Sequence, residues 1–181
     1  PKEMRWMGEY LAEQGFTVFG VRLAGHATQP EDMIRTRYTD WMHSVEDGYH
    51  LLKGAVDQVV LIGLSMGGVL SLLMASKLDV AGVLTMSAPY YLNDPRVKFA
   101  KLLSRFISYM PKSHEEPGAS WVDKDAWRQQ VSYPANPLRS VAELNVLLRE
   151  MRAALPKVKV PVLLIHSRND NYVPNDSMEK I

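Results

Sequence analysis

An α/β fold, built on a mostly parallel sheet with helices on both faces, is what the sequence predicts, and three observations predict it. Four short runs of β-branched and aliphatic residues are apolar on both alternations, as strands of a sheet covered on both faces are. Helical patterns separate the first three, giving a strand–helix–strand rhythm that implies right-handed crossovers. With 181 residues, 46 % of them hydrophobic, the chain has enough apolar material for one compact core.

The first strand is FTVFGVR (16–22). A helix follows over 40–53, where Trp41, Val45, Tyr49 and Leu52 recur at helical spacing and Thr39 or Asp40 stands ready to cap the first turn. The second strand is DQVVLIGL (57–64), and a largely apolar helix over 66–78 leaves it directly. VAGVLTM (80–86) is the third strand and KVPVLLIH (159–166) the fourth. About 70 residues lie between these two, where a crossover needs only a dozen or a few dozen, so an insertion is expected. Within it, residues 95–110 put Val97, Ala100, Leu103, Phe106, Ile107 and Met110 on one helical face and Lys98, Lys101 and Arg105 on the other. KSHEEPGASW (112–121) reads as a loop. Ser140 and Glu143 then form a capping-box pattern that opens a helix carrying Leu144, Leu147, Leu148, Met151 and Leu155.

Composition excludes several classes of function. Charge is nearly balanced, 21 Lys plus Arg against 20 Asp plus Glu, so no overall field favours nucleic acid or an anionic membrane. The absence of cysteine rules out disulfides, thiolate metal sites and a cysteine nucleophile. The apolar runs are far shorter than the roughly 20 residues that span a bilayer, and cytoplasm is the default location. HExxH, P-loop and GxGxxG patterns are all missing, so no metal or organic cofactor is expected. The chain opens on Pro1 and ends at Ile181 inside SMEKI, which reads as a helix start; a piece of a longer protein is expected.

The chemistry centres on GLSMG (63–67). A bare G-x-S-x-G string is weak evidence, but this one follows an apolar strand and opens a helix, the setting of a nucleophile elbow. Such a turn is sharp, and side chains at Gly63 and Gly67 are expected to clash. It would lift the Ser65 hydroxyl above the sheet edge, with the backbone N–H of Met66 placed as an oxyanion donor at the helix start. The competing reading is a turn in which Gly63, Gly67 and Gly68 merely permit tight packing. Asp170 sits four residues beyond the fourth strand, on a loop at the same edge, where a carboxylate can orient an imidazole. Asp94, in NDP after the third strand, is the alternative acid.

No histidine falls where the hydrolase order serine, acid, histidine requires it, because none lies beyond Asp170. His43 and His50 belong to the 40–53 helix, His114 to the polar loop. His26 reads as a loop anchor and His166 as a scaffold residue at the strand end.

GFTVFGVRLAGHATQPEDM, TDWMHSVEDGYHLLKG, the GLSMGG turn, GVLTMSAPYYL and VPVLLIHSRNDNYVP together resemble bacterial carboxylesterases and monoacylglycerol lipases, the serine aminopeptidase S33-like branch of the α/β-hydrolase superfamily. The likeness runs over essentially the whole chain and is weakest from about 93 to 137. It implies a serine nucleophile at Ser65, an acid at Asp170, an oxyanion amide from Met66, and a small cap over an acyl pocket built from the insertion. The expected organisation is core at 1–92, cap insertion with its following helix at 93–157, and core again at 158–181. The family's HG-type oxyanion loop and its catalytic histidine have no counterpart here. Residues 3–14 look like the helix that should follow that loop, so truncation at both ends is the expectation, with the base beyond Ile181. The function implied is cleavage of carboxylic esters, with a small-molecule ester or monoacylglycerol as substrate. The alternatives are a related peptidase, C–C bond hydrolase or acyltransferase, and a non-catalytic relative that binds a small hydrophobic ligand.

Overall fold

The structure is a computed structural model that describes residues 2–111, 123, 125, 128 and 131–181. In chain order its elements are α1 (Arg5–Glu13), α2 (Pro30–Arg35), α3 (Tyr38–Lys53), β1 (Val60–Leu64), α4 (Met66–Ala75), β2 (Gly82–Met86), α5 (Ala100–Leu103), β3 (Tyr109–Pro111), β4 (Ala135–Pro137), α6 (Leu138–Ala154), β5 (Val162–Ile165) and α7 (Ser177–Lys180). β1, β2 and β5 form a parallel sheet in the order β1-β2-β5.

Three of the four apolar runs are thus strands, trimmed at their ends. The run at 16–22 is not. A strand needs a neighbour to take its backbone hydrogen bonds, and among the described residues this segment pairs with none. It runs extended along α3: a side chain at Gly48 would strike Val21 and crowd Phe19, while Phe16 is 64 % exposed. Burial within the sheet also differs by position. Central β2 is buried at Gly82, Val83 and Thr85, whereas Val60 of β1 and Val162, Leu163 and Ile165 of β5 are exposed.

The core gathers around α4. Every residue from Gly68 to Ala75 is buried, because β1 and β2 flank this helix on one side and α3 and α6 on the other. VLSLLMA, apolar but for Ser71, whose hydroxyl donates to the Gly67 carbonyl at 2.9 Å, suits a helix with no solvent face. From α6, Leu147, Leu148 and Met151 are fully enclosed against it, each burial stabilising by about 1.5–3 kcal/mol.

Two capping expectations change. α3 begins with Arg37 as its N-cap, and the Asp40 carboxylate reaches back to accept the Arg37 N–H at 2.8 Å. α6 begins two residues before Ser140, which therefore lies inside the helix and donates its hydroxyl to the Met33 carbonyl at 3.0 Å. Glu143 accepts the Tyr38 N–H at 3.2 Å and pairs with Arg139 at 3.3 Å and Arg37 at 3.8 Å. The predicted capping box is replaced by a long-range tie between α6 and the start of α3.

The amphipathic helix expected over 95–110 is broken. A 3₁₀ turn (Pro95–Phe99) leads into the single-turn α5. There the Leu103 carbonyl accepts the N–H of both Phe106 and Ile107, at 2.9 Å each, and the helix ends. Residues 109–111 then pair antiparallel with 135–137. Of the face predicted to be apolar, Ala100 is buried and Phe106 is 82 % exposed. The 112–121 loop, His114 included, lies outside the described residues.

Candidate active site

Ser65 is the N-cap of α4 and adopts φ +52°, ψ −120°. Few non-glycine residues hold that conformation, which costs on the order of 1–3 kcal/mol. Hydrogen bonds on both sides hold it: its N–H donates to the Met86 carbonyl of β2 at 2.7 Å, and its carbonyl accepts the N–H groups of Gly68 and Val69 at 2.9 and 3.2 Å. The residue itself is exposed. A Cβ at Gly63 would overlap the backbone of Gly67 and Gly68, and one at Gly68 would lie 2.9 Å from the Ala88 Cβ. One at Gly67 would meet nothing. The steric demand expected at both outer glycines therefore falls on Gly63 and Gly68. Met66 is the first residue of α4, so its N–H has no acceptor within the helix and points out of the helix N-terminus.

The neighbouring strands end at the same level. Leu64 is in register with Met86, and Met86 with Ile165. Ser87, immediately after β2, has φ +45° and donates its N–H to the Ile165 carbonyl at 2.8 Å. After β5 come His166 and a turn in which the Asp170 N–H reaches the Ser167 carbonyl at 3.3 Å. Ser65, Ser87 and the His166–Asp170 loop thus stand in a row along the C-terminal edge of the sheet. Strand spacing sets the backbone ends of β1 and β5 about 10 Å apart.

Asp170 is strongly held. Its Oδ1 accepts the N–H groups of Tyr172 and Val173, each at 2.9 Å, and Oδ2 lies 3.6 Å from His166 Nε2. Burial pushes the carboxyl pKa up, but lowering effects led by the N–H groups of Val173 and Tyr172 outweigh it, and the net position is below the ordinary carboxylate value. Asp94, the alternative acid, stands eight residues past the end of β2. It lines an apolar cavity of about 200 Å³ in the insertion, with Val97, Ala100, Ile107 and Leu138.

Among the described histidines none hydrogen-bonds Ser65. His26 anchors its own loop, with Nδ1 3.1 Å from the Ala24 carbonyl and its ring edge-on to Trp41; burial, partly offset by that carbonyl, holds its pKa below the ordinary histidine value. His43 and His50 are exposed on α3. The His166 side chain is 5 % exposed and its Nε2 lies 3.6 Å from Asp170 Oδ2. The sequence reading missed Ser87 and the His166 contact, because both depend on β2 lying between β1 and β5, and strand order carries no local signal. Among the described residues no cluster of three or more His, Asp or Glu side chains is placed to hold a metal, and no helix is long and apolar enough to cross a membrane.

A family model described as serine aminopeptidase, S33, matches residues 3–181. A thermostable monoacylglycerol lipase of Bacillus sp. (strain H-257) is 32 % identical over 175 residues, spanning 96 % of this chain and 67 % of the relative. A carboxylesterase of Bacillus subtilis (strain 168) is 26 % identical over 176 residues, 97 % of this chain and 69 % of the relative. Among solved structures, a metagenome-derived lipolytic enzyme superposes with a TM-score of 0.87 at 28 % identity, covering 98 % of this chain and 71 % of its own. A monoacylglycerol lipase from Paleococcus ferrophilus gives 0.65 at 18 % identity, over 80 % of this chain and 60 % of its own.

Proposed function

The chain belongs to the serine aminopeptidase S33 family, with its α/β-hydrolase fold, and from that premise we propose that the protein is a serine hydrolase of carboxylic esters, of carboxylesterase or monoacylglycerol lipase type. The observation that carries this reading is the exposed Ser65, held at positive φ on the helix start, on the same sheet edge as the hydrogen-bonded carboxylate of Asp170. The similarity to a carboxylesterase and a monoacylglycerol lipase supports esters as the substrate class.

In this reading the Ser65 hydroxyl oxygen bonds to the ester carbonyl carbon while its proton passes to a histidine. The carbonyl oxygen takes the negative charge, and the Met66 N–H donates to it. Collapse breaks the bond to the alcohol, which leaves with the proton from the imidazolium. Water then attacks the acyl-serine by the same route, releasing acid and restoring the hydroxyl. Asp170 orients the imidazole and stabilises its charged form; its depressed pKa keeps it ionised at neutral pH. We assign the base to none of the four described histidines, since His26 and His166 are engaged elsewhere and His43 and His50 lie exposed on α3.

The test uses the protein expressed from its complete reading frame. A fluorophosphonate probe should label it and lose that labelling in Ser65→Ala, and short nitrophenyl esters and monoacylglycerols should be hydrolysed in preference to aminoacyl amides. Absence of labelling, with tight binding of a hydrophobic ligand, would make the protein a non-catalytic relative. Preference for the amides would make it a peptidase.

A further inference from the structure

His166 has no part in the chemistry just described, yet it is enclosed where enclosure is costly. Its side chain is 5 % exposed and its Nε2 is buried without a hydrogen-bond partner within 3.5 Å. An unsatisfied buried ring nitrogen costs on the order of 1–3 kcal/mol, so one left at a sheet edge calls for a use. The nearest charged acceptor is Asp170 Oδ2, 3.6 Å away and just beyond a normal hydrogen bond. Asp170 offers that oxygen because Oδ1 already takes two backbone N–H groups. His166 and Ser65 also leave different strands, β5 and β1, with β2 between them.

We propose that His166 is a positioning residue for the acid: with a proton on Nε2, it donates to Asp170 Oδ2 and fixes the plane of the carboxylate that must meet the catalytic imidazole. This rests on the assignment of Asp170 as the triad acid. The two amides locate one oxygen but leave the carboxylate free to swing about it, and a carboxylate that swings no longer holds the imidazole in a single tautomer and direction. A donor to the second oxygen removes that freedom. Ser87, at the end of β2, stands between this contact and Ser65 along the sheet edge.

Two readouts on the protein from its complete reading frame separate this idea from the reading it rests on. The first is ¹⁵N-detected imidazole NMR of the wild type and of Asp170→Asn, which requires no catalysis. His166 should be the Nε2–H tautomer with a downfield Nε2 proton that moves upfield in Asp170→Asn; an Nδ1–H tautomer, or a resonance indifferent to that substitution, overturns the proposal. The second is ester kinetics. His166→Leu should lower kcat about tenfold, the size of one lost hydrogen bond to a charged group, with KM unchanged. His166→Gln, which keeps a donor in that place, should recover most of it. Equal losses in both variants overturn the positioning role. If the wild type neither labels nor turns over but the NMR signature is present, the contact stands and the esterase reading falls.

Discussion

The turn at 63–68 and the segment at 95–111 are both short and rich in apolar or small residues, and both read from sequence as ordered helical starts, yet they end in opposite states. The turn is locked by backbone: Gly63 lies against Gly67, Ser65 is bonded to Met86, and α4 is buried from Gly68 onward. The segment buries Ala100 while leaving Phe99, Leu102, Phe106 and Ile107 more than half exposed, and its helix stops after one turn. An amphipathic pattern states which face would be buried, not whether anything stands opposite to bury it. A steric demand between residues four apart needs no such partner.

That contrast is open to attack by mutation, and the largest effect belongs to chemistry. Ser65→Ala should cut ester hydrolysis by at least about 1,000-fold, as expected when a nucleophile is removed, and should leave the melting temperature level or raised, because alanine at φ +52° keeps the strain but drops the polar group; intact turnover would place the nucleophile elsewhere. Next comes Gly63→Ala. Its methyl would have to displace the Gly67 backbone, and a loss of about 3 kcal/mol or more in denaturant unfolding is expected. Gly67→Ala makes the sharper control. Open space surrounds its Cβ, and alanine is the better helix former, so stability should hold or rise by up to about 1 kcal/mol; similar losses at the two glycines would refute the steric account of the turn.

A smaller effect concerns pH. The native carboxyl of Asp170 titrates below its unfolded value, so its contribution to stability is present above the ordinary carboxylate pKa and is lost as pH falls through the depressed native one. Unfolding midpoints measured from neutral pH into that acid range should fall, and Asp170→Asn should flatten that part of the curve. The smallest effect is expected in the other region: Phe106→Ser, at a side chain 82 % exposed, should change stability by no more than about 0.5 kcal/mol. A large loss there would mean that the segment is packed after all.

What could be read ahead of the structure follows the same division. The serine turn was visible because Gly63, Ser65 and the apolar strand before them are contiguous, and the sheet edge that carries Asp170 follows from strands running parallel. Ser87 was invisible because its role depends on β2 lying between β1 and β5. The Ser140–Glu143 pair has the spacing of a capping box, but Glu143 is committed to Arg37 and Tyr38, more than a hundred positions away. The run at 16–22 has the composition of a strand and lacks a ladder partner among the described residues, which composition does not report.

α4 is enclosed on one flank by strands that precede and follow it closely and on the other by α3, which precedes it, and α6, which begins at Leu138. During synthesis, then, the part of that flank which α6 covers stays open until some sixty further residues have left the ribosome, several seconds at ordinary elongation rates. Over that interval the nascent chain presents Leu70, Leu73 and their neighbours to whatever is nearby, so a chaperone that shields aliphatic helices should raise the yield of this protein more than any repair to its surface.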